Sequence, residues 1–230
     1  VKAQDTQASQ IRWGIELETR IPTNAGVHVG GYHRGHAVRC GVDARTSLPL
    51  DAPTFQGNPW KAERDGSIRC EGGQKPCEFV SPILHGPEGI ACLLDFLRWA
   101  RAIGGTVNDS CGCHITVGIE SIIGTDDPRE VSAFIRKLAH ISRWHARSLY
   151  DQTGTARHLN HFSHPLYEDT GAKMRRLVRT EEERVKAECA EQCGRGMLNF
   201  RKAFQRDASG RYVGVVEFRV FAGTLNATKI

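Results

Sequence analysis

The chain has 230 residues, 40% hydrophobic and 25% charged, with a formal net charge of +5. This is the profile of an ordinary globular protein with enough length to bury a core, and its apolar runs are too short to span a bilayer, which argues against a membrane partner. The positive charge is modest and dispersed, so it suits an anionic substrate and argues against nucleic acid.

Residues 1–10 are polar and expected to fray. Residues 12–20 read as the first strand. In a strand, positions i and i+2 share a face, so Glu16 and Glu18 stand side by side while Ile15 and Leu17 face a core. Residues 22–58 form a loop-rich insertion containing Gly30-Gly-Tyr-His-Arg-Gly-His36, with a short hairpin expected near 27–42. It reads equally as a surface loop or as a lid over substrate. Two strands are expected over 60–70 and 77–82, joined at Gly72-Gly73. The spacing of Ile90, Leu93, Leu94, Leu97 and Ala100 predicts a helix over 87–103, ended by Gly104-Gly105. Short strands at 106–108 and 114–119 then flank Cys111-Gly-Cys113.

Asp127 and Pro128 open a second helix as N-cap and first helical residue. It runs to about Tyr150, with Val131, Phe134, Ile135, Leu138, Ile141 and Ser142 facing the core. A loop carrying Arg157, His158, His161 and His164 leads to a charged helix ending near Cys193. Its Arg179/Glu183 and Glu182/Lys186 pairs at i,i+4 read as a solvated face. Strands over 197–204 and 212–221 close the chain around a turn at 207–210. This order of elements predicts an α+β fold with a mostly antiparallel sheet and helices packed on one side, in a single domain spanning 1–230. The first residue is Val and the last strand is followed by no closing helix, so we expect a fragment truncated at the C-terminus.

In the last strand, Glu217 and Arg219 share a face as Glu16 and Glu18 do. Two carboxylates on one face repel each other unless a cation lies between them, and hard oxygen ligands favour Mg²⁺ or Mn²⁺. The pattern points to metal-dependent phosphoryl chemistry. The eight cysteines are expected as free thiols in a reducing cytoplasm. The alternative is zinc held by Cys70, Cys77, Cys189 or Cys193, which would fit a zinc-stabilised nucleic-acid binder.

Five segments occur in a fixed order: Gly14-x-Glu16-x-Glu18, then Trp60 with Asp65-Gly-Ser67, then Glu78-Phe-Val-Ser-Pro82, then Cys111-Gly-x-His114, then Glu217-Phe-Arg219 with Gly223-Thr-Leu225. Together they resemble the putative amidoligase family, related to the glutamine synthetase and glutamate–cysteine ligase superfamily of carboxylate–amine ligases. The resemblance implies a curved antiparallel sheet whose concave face holds ATP and Mg²⁺ or Mn²⁺. It implies Glu16, Glu18, Glu78 and Glu217 as metal carboxylates, His114 as an imidazole ligand, and Arg219 as the phosphate contact. Asp65 matches an acidic position that would serve as a further ligand or take a proton from the attacking amine, and Ser67 falls with it on the nucleotide side. Asn199 and Arg157 are candidates to contact substrate or nucleotide, with turn and surface roles equally open. Thr116 stands where the family often has a second histidine, so that position is a poor ligand here.

The implied reaction is ATP-dependent amide formation. A carboxylate takes the γ-phosphoryl group of ATP to become an acyl phosphate, and an amine then displaces phosphate. The partners would be ATP, a carboxylate and an amine (an amino acid, peptide or small metabolite), in a cytoplasmic enzyme for which a homo-oligomer is compatible. The alternative within the same fold is a catalytically inactive nucleotide- or peptide-binding module.

Overall fold

The computed structural model describes residues 9–31, 51–153, 159, 163, 182–191 and 195–228. It groups the chain into two compact units, Val1–Cys113 with Ala222–Ile230, and His114–Phe221. Both combine strands and helices, and the strand pairing is mostly antiparallel, as expected for an α+β chain. Among the described residues, no helix is long and apolar enough to cross a membrane.

The first unit is built on β1 (Trp13–Pro22), β4 (Lys61–Glu63) and β5 (Gln74–Val80), hydrogen-bonded in the order β4-β5-β1. Alternation sorts their side chains. Ile15, Leu17 and Ile21 of β1, Ala62 of β4, and Cys77 and Phe79 of β5 are all buried. They pack toward helix α1 (Gly86–Ala102), where Phe79 meets Phe96 edge-on at 5.2 Å and Trp99 at 5.8 Å. Trp60, just before β4, lies flat on Phe96 with ring centroids 3.6 Å apart and planes 7° apart. Such stacking adds about 0.5–1.5 kcal/mol to the burial of the rings themselves.

Helix α1 carries Pro87 in its first turn, where a missing N–H costs nothing. It ends at Gly104, whose φ of +85° suits glycine, and a Cβ there would lie 2.8 Å from Pro22 Cγ. The buried face is Cys92, Leu93, Phe96, Leu97, Trp99 and Ala100. Ile90, placed on the core stripe by its spacing, is 54% exposed. The expected strand over 60–70 is confined to β4, because Asp65 accepts the Ser67 backbone N–H at 2.6 Å and turns the chain away. The expected strand at 106–108 is a single bridge between Thr106 and Arg20.

Within the insertion, a hairpin does occur, but at β2 (Thr54–Phe55) and β3 (Asn58–Pro59). Gln56 and Gly57 form its two-residue turn, both with positive φ, the primed geometry that matches strand twist. The hairpin expected near 27–42 falls largely outside the described residues. Gly30 runs alongside β4, donating its N–H to Ala62 and accepting that of Arg64.

Strand β6 (Gly112–Gly118) begins in the first unit and ends in the second. The second unit orders its strands β6-β8-β7, with β7 at Leu198–Asn199 and β8 at Val215–Ala222. Its helices are α2 (Ile119–Ile123), α3 (Pro128–Thr153) and α4 (Glu182–Glu191). Asp127 caps α3 as expected, accepting the Arg129 N–H at 2.8 Å. Val131, Ile135, Ala139, Ala146 and Tyr150 of α3 pack with Val185 and Cys189 of α4 and with Leu198, Phe200, Val216 and Val220. Ile141, expected in this core, is 56% exposed.

The expected strand over 197–204 stops at Asn199 and gives way to a turn. Gly214 has no room for a side chain, since a Cβ would lie 2.1 Å from Tyr212 Oη and 2.2 Å from Ala203 O. That absence lets the Tyr212 hydroxyl donate to Ala203 O at 2.6 Å, fixing the entry into β8. Farther along β8, the Ser163 hydroxyl donates to the Arg219 carbonyl at 2.8 Å, and Tyr150 Oη donates to the Ser163 carbonyl at 2.7 Å. A buried relay thus runs from α3 to the backbone of Arg219.

Candidate active site

Strand register in the first unit places glutamates opposite one another. Glu63 of β4 faces Glu78 of β5, and Glu78 faces Glu18 of β1. Opposed residues in adjacent strands bring their Cβ atoms to about 5 Å, and like charges there repel. All three are buried, with exposures of 3%, 4% and 5% for Glu63, Glu78 and Glu18. Glu16 stands on the same side as Glu18 and is opposite Val80.

The row has an electrostatic consequence. Burial pushes the Glu78 carboxyl up from 4.5 to about 9, and the charges of Glu16, Glu18, Asp65 and Glu63 push in the same direction. Near neutral pH, Glu78 is therefore ionised only with positive charge beside it, or else holds a proton. Glu18 is tied down by the Gly112 N–H, donated to Oε2 at 2.5 Å.

One oxygen from each of Glu18, Asp65 and Glu78 lies within 4.8 Å of the other two. Ligands on opposite sides of Mg²⁺ stand about 4 Å apart, and larger cations accept wider spacing. An all-oxygen, acid-rich set of this size fits a hard divalent cation, and the raised Glu78 carboxyl is the reason one would be welcome. Among the described residues, no such group contains a cysteine, and Cys70, Cys77 and Cys92 are free thiols. Cys193, part of the zinc alternative, lies outside the described residues.

The second unit gathers another set around Glu217. The register sets Asn199 of β7 opposite Glu217 of β8, and Asn199 Nδ2 donates to Glu217 Oε2 at 2.7 Å. Arg219 Nη1 donates to Glu217 Oε1, consistent with their shared strand face. His114, 2% exposed, places Nδ1 3.6 Å from Glu217 Oε1 and 3.4 Å from Arg219 Nη1. Of the residues singled out in the sequence, His114, Asn199, Glu217 and Arg219 thus lie side by side. Arg157 lies outside the described residues.

Glu63 went unassigned on sequence grounds, although the signal was there. Trp60 and Ala62 are apolar at i and i+2, so Lys61 and Glu63 must share the opposite face, by the reasoning that singled out Glu16 and Glu18.

An α+β chain with mostly antiparallel pairing and a buried carboxylate row on one sheet face narrows the class to an acid-lined enzyme-type site. Over residues 9–230 the sequence matches the family model described as putative amidoligase enzyme, and the chain belongs to that family. The description of that family supports a ligase that forms amide bonds. No curated protein matches the chain.

Proposed function

We propose that the protein is an ATP- and Mg²⁺- or Mn²⁺-dependent ligase that joins a carboxylate to an amine through an acyl phosphate. The observation that carries this reading is the Glu63–Glu78–Glu18 row with Asp65 beside it, in a chain of the amidoligase family. Glu16, Glu18, Glu78 and Asp65 would hold divalent cation in the first unit. When bound, the cation supplies positive charge to the phosphates during phosphoryl transfer.

The chain's own groups have definable tasks. Arg219 is permanently charged and its planar guanidinium, which donates to Glu217, has the fork geometry that suits an oxyanion such as a phosphate. Glu217 holds that guanidinium in place and retains acceptor capacity for a cation. An imidazole that ligates a metal ordinarily has its other ring nitrogen held by a neighbouring polar group, and His114 Nδ1 lies 3.4 Å from Arg219 Nη1 and 3.6 Å from Glu217 Oε1. Its Nε2 would be the ligand atom. Asn199 orients Glu217 from the far side. Asp65, with one oxygen committed to the turn at Ser67, has the other for one of two tasks: holding the cation or, in its place, receiving the amine's proton.

The partners are then ATP, a carboxylate and an amine. The test is release of ADP and phosphate from ATP in the presence of Mg²⁺ and a panel of carboxylate–amine pairs. Glu18→Gln and Glu217→Gln should each abolish release while leaving the circular dichroism spectrum unchanged. Normal turnover by both variants would sink the reading.

A further inference from the structure

We propose that a basic cleft in the second unit, between α4 and the turn after β7, binds the oxyanion groups (carboxylate or phosphate) of a substrate. The cavity has a volume of about 580 Å³, within the range that encloses most of a small molecule. Lys186 projects from α4, Arg201 and Lys202 come from the turn, Asn199 from β7, and Phe204 and Cys189 supply apolar wall. Among the described residues, no acidic residue lines it, and none of the three cations takes part in an ion pair.

Three like charges around one cavity repel each other, and an anion placed among them removes that repulsion. The chemistry of the lining fits oxyanions well. Arg201 offers a planar fork for two oxygens and Lys202 and Lys186 offer point charges. The turn that presents Arg201 and Lys202 is itself fixed, because the Arg201 backbone N–H donates to Asn199 Oδ1 at 3.0 Å.

The same Asn199 side chain donates from Nδ2 to Glu217. One amide therefore lines the cleft with one end and orients the Glu217–Arg219–His114 set with the other. A molecule anchored by its charged end in the cleft would present its remainder beside that set. Identifying the occupant as a substrate rests on the ligase reading, whereas the binding of oxyanions does not.

The test measures binding without turnover. Inorganic pyrophosphate and citrate, as phosphate and polycarboxylate probes, are titrated into the full chain by calorimetry in chelated, metal-free buffer. At least one should bind at millimolar concentration or better, with affinity falling as salt is raised. A Lys186→Ala, Arg201→Ala, Lys202→Ala variant should weaken it by about tenfold or more. All three side chains are exposed. If the triple variant is misfolded by circular dichroism, Lys202→Gln alone serves, with a severalfold loss expected. Pyrophosphate binding alone assigns the cleft to phosphates, citrate binding alone to carboxylates, and both to oxyanions generally. No binding of either probe, or unchanged affinity in the folded variant, overturns the proposal. A ligase that proves inactive while the probes still bind would remove the word substrate and leave the cleft.

Discussion

Glu63 and Glu78 stand directly opposite each other across the β4–β5 ladder, both buried, with Glu18 opposite Glu78 on the other side. Three carboxylates in a cross-strand row oppose folding unless protons or cations reduce their charge.

Replacing Glu78 by Gln removes the central negative charge while keeping nearly the same shape. Metal-free Glu78→Gln should melt at higher temperature than the parent at pH 8. Mn²⁺ should raise the melting temperature of the parent but not of the variant, with affinity down by tenfold or more, a change of about 1.4 kcal/mol. Thermal melts with and without Mn²⁺ measure both effects. Equal Mn²⁺ responses in the two proteins would exclude Glu78 as a ligand.

The pH dependence follows from the same residue. Folded Glu78 keeps its proton to about pH 9, whereas the unfolded chain releases it near 4.5. Between those values the folded state binds more protons, so the stability contributed by this group is complete below 4.5 and is lost as pH rises through about 9. Denaturant titrations of metal-free protein from pH 5 to pH 9 should show that decline, and Glu78→Gln should flatten it. Divalent cation competes with the proton, so its apparent affinity should rise over the same interval.

Asn199→Ala leaves Glu217 Oε2 without its amide donor and the Arg201 N–H without its acceptor. Stability should fall by about 1–3 kcal/mol. Turnover should fall by more than that loss of folded protein explains, because Glu217 is no longer held between Asn199 and Arg219. Steady-state rates corrected for the folded fraction decide it; a corrected rate equal to the parent's would make Asn199 purely structural.

Trp60→Ala removes the buried ring stacked on Phe96 and opens a cavity there. The expected cost is about 3–5 kcal/mol. A loss below about 1 kcal/mol by chemical denaturation would mean that the aromatic stack is not part of the stabilising core of this unit.

Gly214→Ala should destabilise by a different route, since the added methyl meets Tyr212 Oη and Ala203 O well inside contact distance. The Tyr212→Phe, Gly214→Ala double variant should recover part of the loss by removing one of the two clashing oxygens. A double variant no more stable than the single would place the strain at Ala203 O and at the Tyr212 ring carbon Cζ, each 2.2 Å from the added methyl.

Period-two alternation around Glu16 and Glu18, the capping signature at Asp127-Pro128 and the ordered acidic motifs were legible in the sequence, because each depends on residues a few positions apart. That sufficed for the α+β class and for the amidoligase family. It also sufficed for the neighbourhood of Glu217 and Arg219, which share one strand face. The glutamate row was not legible, because register between strands is set by long-range pairing, and a slip of one residue would turn Glu78 to the opposite face. The face of Glu63 is legible from its alternation with Trp60 and Ala62, but its place opposite Glu78 is not. Helical spacing found the stripes of α1 and α3 but not their edges, leaving Ile90 and Ile141 exposed, since the width of a buried face depends on what packs against it. The basic cleft was likewise decided by the tertiary structure alone: Lys186 belongs to a helix that reads as a solvated face, and only the fold sets it against Arg201 and Lys202 around a shared cavity.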